Sequence, residues 1–317
     1  MDKPTGAVTL AAYWRPATWD ETPDPPERDA RKVYLGWRPG THGERDPGFA
    51  LQERDLAILG RLWAAGALLS DHVQALFFPA AGGPRAVQRR LVRLYQVGLV
   101  RRYRPQLRKG FGSSAYVFAV TRLGFEVLRV VRPAWWAARW PEAKWDPRQE
   151  GREPGLDLFM HSLVVADIGV WAESRLGREW IHESEPAALI SAGSVPAGNR
   201  VKEVAFRPDG ILAAREGGVD WFLELERSAY LPHWRHKVER WERWSRQYAL
   251  SPAPAVIVVA GYLRDSPQRR ERSVLPLLRT LPAELLKLVY VLDLAEWDPQ
   301  RTEPQVVPAG ELRGKDA

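Results

Sequence analysis

The feature that most constrains this chain is a pair of short strands within residues 206–237, FRPDGILAAREGGVDWFLELERSAYLPHWRHK. Residues 211–215 and 219–225 alternate roughly between apolar and polar side chains, which is typical of β-strands. Gly217-Gly218 separates them and predicts a two-residue loop, because both central positions of such a turn favour positive φ. The sequence therefore predicts an antiparallel hairpin whose register can be counted outward from the loop.

That register brings acidic residues together. Counting outward from the two glycines places Asp209 opposite Glu226 and Ile211 opposite Glu224. Directly opposed residues share a face of a sheet, so three carboxylates crowd one face and repel unless a cation or basic side chains lie among them. The other face is apolar and suits a core: Leu212, Ala214, Trp221, Leu223 and Leu225. The pattern indicates a divalent-metal site, and the alternative is a solvated acidic hairpin beside an ordinary surface lysine.

The arrangement resembles the PD-(D/E)xK nuclease-like fold, in which an Asp after a Pro and an acidic residue on the next strand hold magnesium. A Lys two residues later helps to activate water in that family. Pro208-Asp209 matches the first part and Glu224 the second, but Glu226 stands where the family has its lysine. Some branches recruit the lysine from the following helix, where Lys237 is the only Lys. Two nearby arginines are weaker substitutes: Arg227 and Arg235.

The resemblance implies a catalytic set of Asp209, Glu224, Glu226 and Lys237, with Asp209 and Glu224 as ligands of Mg²⁺ or its substitute Mn²⁺. The first helix or strand of such domains often adds a site residue, and there are three candidates: His161, Glu183 and Glu185. His233 and His236 have a spacing that suits a metal, although an exposed pair on an amphipathic helix is the alternative interpretation.

Residues 51–131 predict three helices and a two-stranded hairpin, the order of a winged helix-turn-helix, followed by a fourth helix. Helical spacing runs from Asp55 to Ala65, a second short helix begins at Ser70, and Pro84 opens a third that ends at Gln96. The elements that follow are two strands and a helix: Leu99 to Tyr103, Ala115 to Val120 and Thr121 to Val131.

The charge of this segment predicts its partner. From His72 to Phe125 there is no acidic residue. Nine basic residues are predicted to bind DNA: Arg85, Arg89, Arg90, Arg93, Arg101, Arg102, Arg104, Arg108 and Lys109. Arg85, Arg89 and Arg93 recur every four residues, so they share a helix face that would repel itself without a polyanion. The pattern predicts binding of double-stranded DNA, with a winged helix that makes protein contacts as the alternative.

Composition and charge limit the kinds of binding partner and site that this chain can have. The chain has 317 residues, enough for two domains, and a formal net charge of +7, which favours a polyanionic partner. No apolar run is long enough to span a bilayer, so no membrane partner is expected. The absence of cysteine excludes disulfides and thiolate metal sites and is compatible with a cytoplasmic protein.

The predicted fold class is α+β and α/β: a winged helix-turn-helix followed by a restriction-endonuclease-like αβββαβ domain. In the second domain, a strand is predicted over residues 180–190 and a helix over residues 270–279. Five segments are predicted: an extended arm (1–50), the winged helix (51–131), a linker rich in Trp and Pro (132–155), the nuclease-like domain (156–297) and a polar tail (298–317). The arm is either a mobile tail or is pinned by its aromatic residues. The four linker tryptophans either pack on one domain or fix the two domains to each other.

The combination of these two domains resembles the replication-relaxation family of plasmid and mobile-element proteins. The resemblance rests on residues 51–131, on the elements PDG and FLELERS, and on the helix that bears Lys237. It implies DNA binding connected with replication, mobilisation or maintenance of an element. Two functions stay open: a metal-dependent DNA endonuclease, or a non-catalytic accessory or regulator whose nuclease-like domain is a platform for binding or for oligomerisation, a homodimer included.

Overall fold

A computed structural model describes residues 14–21, 50–78, 83–107, 116–145, 156–197, 200–226, 231–250, 255–263, 273–294, 297 and 306–312. The fold mixes α-helices with several β-sheets. The chain forms two compact units, a first unit within Tyr13–Val170 and a second within Trp171–Ala317, which are described separately below. Among the described residues, no helix has the length and apolarity needed to cross a membrane.

The first unit surrounds a small antiparallel sheet with helices. Its helices are α1 (Glu53–Ala65), α2 (Ser70–Phe77), α3 (Gly83–Gln96), α4 (Arg122–Val131) and α5 (Ala134–Arg139). Its strands are β1 (Trp14–Glu21), β2 (Leu68–Leu69), β3 (Val100–Leu107) and β4 (Val117–Val120), in the sheet order β1-β3-β4-β2. The elements predicted over residues 51–131 therefore occur in the expected order. The boundary between the units falls within α6 (Leu156–Arg175).

Local chemistry explains where these helices begin and how they pack. The Thr121 side chain accepts the Gly124 N–H at 3.1 Å and so caps α4. The apolar residues that recur at helical spacing along α3 are buried: Val87, Leu91 and Leu94. One difference lies in the predicted arm, because β1 pairs with β3 and Asp20 stands opposite Arg104. The prolines in this segment obscure the period of a strand, although an edge strand tolerates them.

The tryptophans predicted for the linker pack on the first unit. Trp136 and Trp140 are buried, and the Trp145 ring lies 5.8 Å from that of Trp63 in α1. Phe125 of α4 contacts both the Trp136 and Trp145 rings, at 6.1 and 5.6 Å between centroids. The start of the linker thus belongs to the core of the first unit.

The second unit contains a mixed six-stranded sheet in the order β12-β11-β10-β9-β8-β5. Its strands are β5 (Glu179–His182), β8 (Gly210–Ala213), β9 (Asp220–Leu225), β10 (Ala255–Gly261), β11 (Val289–Asp293) and β12 (Val306–Pro308). Strands β9, β10 and β11 are parallel, and β5, β8 and β12 are antiparallel to their neighbours. A separate two-stranded sheet consists of β6 (Ile190–Ala197) and β7 (Arg200–Phe206).

Helix α7 (Leu231–Leu250) connects β9 to β10 and carries most of the helical side of the core. Three tryptophans of α7 are buried in one apolar core with residues of the sheet, among them Phe222, Ile257 and Val259: Trp234, Trp241 and Trp244. The face of α7 on which Trp234, Val238 and Trp241 recur at helical spacing is therefore the buried one. The second unit also has two short α-helices, α8 (Leu275–Leu278) and α9 (Ala309–Leu312), and two 3-10 helices, Pro186–Ala188 and Leu285–Lys287.

Three predicted elements of the second unit differ from the structure. The strand predicted over residues 180–190 ends at His182, and the β6–β7 hairpin that follows was not predicted. Of the helix predicted over residues 270–279, only Leu275–Leu278 lies in described helix. The tail predicted to be without pattern contributes β12, which pairs with β11 as an edge strand. Edge elements this short carry too few alternating residues to give a periodic signal.

The predicted hairpin register is wrong by two residues. Gly210 lies opposite Leu223, and Leu212 opposite Trp221. The loop spans residues 214–219, and its positive φ values fall on Glu216 (33°) and Gly217 (74°) rather than on the two glycines. Continued by one residue, this register aligns Asp209 with Glu224 instead of Glu226. Because the register differs from the prediction by an even number of residues, every side chain keeps its predicted face of the sheet.

Candidate functional site

The acidic side chains of the hairpin meet at one end of β8 and β9. Asp209 immediately precedes β8, Glu224 lies near the end of β9, and Glu226 immediately follows it. The Leu225 N–H donates to Asp209 Oδ2 at 2.7 Å, which ties the two strands together beyond the ladder. Glu224 and Glu226 are buried, with 4% and 9% of their surfaces exposed. We call Asp209, Glu224, Glu226 and Lys237 the acidic site.

Lys237 reaches this site from α7. Its Nζ lies 2.9 Å from Glu224 Oε2 and 3.5 Å from Glu226 Oε2. The packing of α7 explains the approach, because Phe222 contacts the Trp244 ring at 5.3 Å and Glu224 is two residues further along the same face of β9. Lys237 precedes buried Val238 and is 30% exposed, so its stem lies at the border of the helix–sheet interface.

Electrostatics couple Glu224 to Lys237. Burial raises the pKa of Glu224 to about 7, because desolvation and the nearby Asp209 and Glu226 outweigh the opposing effect of Lys237. Burial alone would lower the pKa of Lys237, but the attraction of Glu224, Asp209 and Glu226 is larger and raises it above its ordinary value. Lys237 therefore remains protonated at neutral pH, while Glu224 changes its charge near neutrality.

The donor set of the acidic site suits a hard cation. Mg²⁺ commonly binds through one or two carboxylates together with water and phosphate oxygens, and Asp209 and Glu224 provide such a pair. Together the four groups carry two more negative than positive charges when all are ionised. Among the described residues, no group of three or more His, Cys, Asp or Glu side chains is arranged to hold a metal ion. Any bound Mg²⁺ would depend on water and substrate for its other ligands.

The further candidates for this site lie elsewhere. Glu185 Oε1 accepts the His182 N–H at 3.0 Å, so this buried side chain stabilises the turn after β5. Glu183 belongs to the same turn, and His161 is a half-buried residue of α6 in the first unit.

Within α7, His236 Nδ1 lies 3.6 Å from Glu239 Oε2, and His233 is exposed. Arg235 is also exposed, and Arg227 lies outside the described residues.

The residues predicted to bind DNA have unlike surroundings. Arg85 and Arg89 are exposed on α3, whereas half-buried Arg93 donates to Gln96 at 3.4 Å. Arg90 is held internally: its Nε donates to Asp55 Oδ1 at 2.6 Å and its Nη2 to the Ala50 carbonyl at 2.7 Å. The one signal for this pair in the sequence is an acidic residue, Asp55, on the buried side of α1.

The hairpin residues also divide. Arg101 and Arg102 are half-buried, and the Arg102 guanidinium lies 4.4 Å from the Tyr95 ring centroid and 5.0 Å from that of Tyr116. Arg104 is on β3, but its side chain is outside the described part of the structure. Arg108 and Lys109 lie in a segment that the structure does not describe.

A family model described as replication-relaxation matches residues 59–259. The chain belongs to the replication-relaxation family. The family is replication-related. The matched segment runs from α1 into β10, so it includes the arginines of α3 and all four residues of the acidic site. Comparisons with curated proteins and with solved structures give no match.

Proposed function

We propose that this replication-relaxation protein binds double-stranded DNA of a plasmid or mobile element, and that its second unit is a Mg²⁺-dependent DNA endonuclease acting in replication, mobilisation or maintenance. One observation carries the nuclease assignment. The Lys237 ammonium comes from the helix after β9 and lies 2.9 Å from Glu224, as expected where a PD-(D/E)xK site recruits its lysine from that helix.

The first unit supports the DNA-binding part of the proposal. Its order of three helices, a β-hairpin and a further helix is that of a winged helix, with α3 in the position of the recognition helix. Arg85 and Arg89 are exposed on α3, where guanidinium groups can contact base edges or phosphates. The absence of acidic residues from His72 to Phe125 keeps this surface attractive to a polyanion.

The acidic site supports the cleavage part. Asp209 and Glu224 would hold Mg²⁺, which would lower the pKa of a bound water and stabilise charge on the phosphate. The Leu225 N–H fixes the orientation of Asp209, and Lys237 does the same for Glu224. The ammonium also reduces the net negative charge of the site, which lowers the repulsion of an approaching phosphodiester. A compact ammonium suits this position better than a planar guanidinium, because it can also hold a water molecule.

A non-catalytic protein is the second candidate, and a specific observation favours it. Lys237 contacts both Glu224 and Glu226, so the two buried carboxylates already have a cation. Glu226 also occupies the position of the family lysine. In this alternative the ion pairs stabilise a platform for binding other molecules or a second copy of the chain.

Cleavage assays separate the two candidates. Purified protein is incubated with supercoiled and linear DNA, with Mg²⁺, with Mn²⁺ and with EDTA. We expect metal-dependent cleavage that Asp209→Ala abolishes and Lys237→Ala strongly reduces. Arg235→Ala is the matched control, because it removes a cation from an exposed position on the same helical turn. DNA binding without cleavage under either metal would refute the nuclease assignment and leave the platform.

A further inference from the structure

The exposed surface of α7 is divided by charge. On the side of the helix next to Lys237, the exposed residues are basic or neutral: His233, His236, Arg240, Arg243 and Gln247. We call this set the basic flank. On the opposite side, residues of both signs occur: exposed Arg235, Glu239 and Arg246, and half-buried Glu242. Helical spacing of three and four residues places the members of each set on one side. Neither flank belongs to the buried face of Trp234, Val238 and Trp241.

The basic flank is continuous with the acidic site. Lys237 is three residues before Arg240 and four after His233, so it is the neighbour of both on the helix surface. Arg240 and Arg243 lie about 4.5 and about 9 Å from Lys237 along the helix axis, given a rise of about 1.5 Å per residue. A chain of phosphates entering the site can therefore run along these arginines.

We propose that the basic flank binds the phosphate backbone of the DNA strand that enters the acidic site. This inference rests on the proposed nuclease function and adds a second DNA contact, separate from α3. Arg240 and Arg243 provide guanidinium groups that pair with phosphate oxygens through two hydrogen bonds. The opposite flank has two arginines of its own, but each lies four residues from a glutamate: Arg235 from Glu239 and Arg246 from Glu242. Arg243 also follows Glu239 by four residues, whereas the neighbours of Arg240 at three and four residues are His236, Lys237, Arg243 and Trp244. An acidic protein partner would also suit basic residues, and the experiments below distinguish it from DNA.

Two pairs of arginines on one helix allow a matched test in the full chain. Arg240→Ala/Arg243→Ala removes two charges from the basic flank, and Arg235→Ala/Arg246→Ala removes two from the opposite flank. Duplex binding is measured by fluorescence anisotropy over a range of salt concentrations. We expect the first variant to reduce the slope of log Kobs against log salt by about 1.8, since each lost phosphate contact contributes about 0.9. The control should keep the wild-type slope.

The same variants in the Arg85→Ala/Arg89→Ala background test independence from α3. Contacts to different phosphates contribute independently to the salt slope, so the loss of slope from the basic flank should be the same in both backgrounds. In cleavage assays, the basic-flank variant should raise KM and leave kcat nearly unchanged, because it removes binding that is equal in the ground and transition states.

The cysteine-free sequence provides a second readout. Arg240→Cys and Arg246→Cys each introduce the sole thiol, to which a photo-crosslinker can be attached. Crosslinks to DNA from position 240 and not from 246 would support the proposal. Equal losses of slope in both double variants, no loss in either, or crosslinking from both positions would refute it. A wild type that fails to bind DNA at all would instead refute the proposed function itself.

Discussion

Replacement of Lys237 by methionine should destabilise the second unit by an amount that depends on pH. The variant keeps most of the apolar stem and removes the ammonium that lies 2.9 Å from Glu224. Because Lys237 is one of the groups that lower the pKa of Glu224, its removal should raise that pKa above the wild-type value of about 7. Wild-type Lys237 keeps its proton throughout the neutral range, since its pKa is raised.

The direction in which stability changes with pH follows from comparison with the unfolded chain, where Glu224 ionises at its ordinary, lower pKa. In both proteins, folding holds a proton on Glu224, so folded-state stability falls as pH rises above about 4.5. In the wild type this loss levels off once the pH exceeds about 7, where folded Glu224 ionises. In the variant it continues, at up to about 1.4 kcal/mol per pH unit for one proton. The difference in unfolding free energy should therefore grow by about 1 kcal/mol between about pH 6 and about pH 8.

Urea titration followed by hydrogen-exchange mass spectrometry measures this difference at β9, separately from the first unit. Arg235→Met should have little effect at either pH, because that side chain is exposed. In the background of Glu224→Gln, the effect of Lys237→Met should no longer depend on pH between about 6 and 8, since the titrating group is gone. An effect of Lys237→Met that is equal at both pH values with Glu224 intact would refute the coupling.

Three further predictions concern other parts of the chain. Arg85→Ala/Arg89→Ala should reduce the salt slope of duplex binding by about 1.8, with Arg122→Ala/Arg129→Ala on α4 as a control that leaves it unchanged in the same anisotropy assay. Mg²⁺ affinity should fall about tenfold from about pH 8 to about pH 6, because a proton competes with the metal at Glu224. Calorimetry should detect the release of about half a proton per bound Mg²⁺ at about pH 7, and an affinity that does not change with pH would contradict this prediction. Gly124→Ala should destabilise the first unit by more than about 2 kcal/mol, because a Cβ there meets the Leu99 carbonyl, which is backbone and cannot swing away; equal thermal melting of the variant and wild type would contradict this.

The faces of the hairpin could be predicted from sequence, but its register could not. Alternation at period two is a local property, so it placed Glu224 and Glu226 on one face whichever residues formed the loop. The register depended on the loop, and the adjacent glycines suggested a shorter one than is formed. A Cβ on Gly218 would lie 2.7 Å from the Ala214 Cβ. This second glycine is required by a close approach within the loop, and Gly217 by its positive φ.

Contacts between distant residues were the least predictable. Arg90 lies among the arginines of α3 in the sequence, yet its guanidinium is bound to a carboxylate 35 residues away. Spacing sets Arg90 apart from Arg89 and Arg93, because Arg90 lies three residues after Val87 and four before Leu94, at the edge of the apolar stripe of α3, but it does not identify the partner. The ion pair with fully buried Asp55 assigns Arg90 a structural contact, and removal of Arg90 would leave a buried carboxylate without its cation.

The departure at residue 226 and the recruitment of Lys237 are two aspects of one electrostatic arrangement. A lysine at 226 would place a second ammonium beside Lys237, whose Nζ lies 3.5 Å from the carboxylate now at that position. Two like charges at that separation in a partly desolvated site repel strongly, so one of them would lose its proton or move away. Glutamate at 226 instead attracts Lys237 and helps to hold it beside Glu224. Glu226→Gln should therefore weaken the hold on Lys237 without removing its main partner, whereas Glu226→Lys should displace Lys237 from the acidic site.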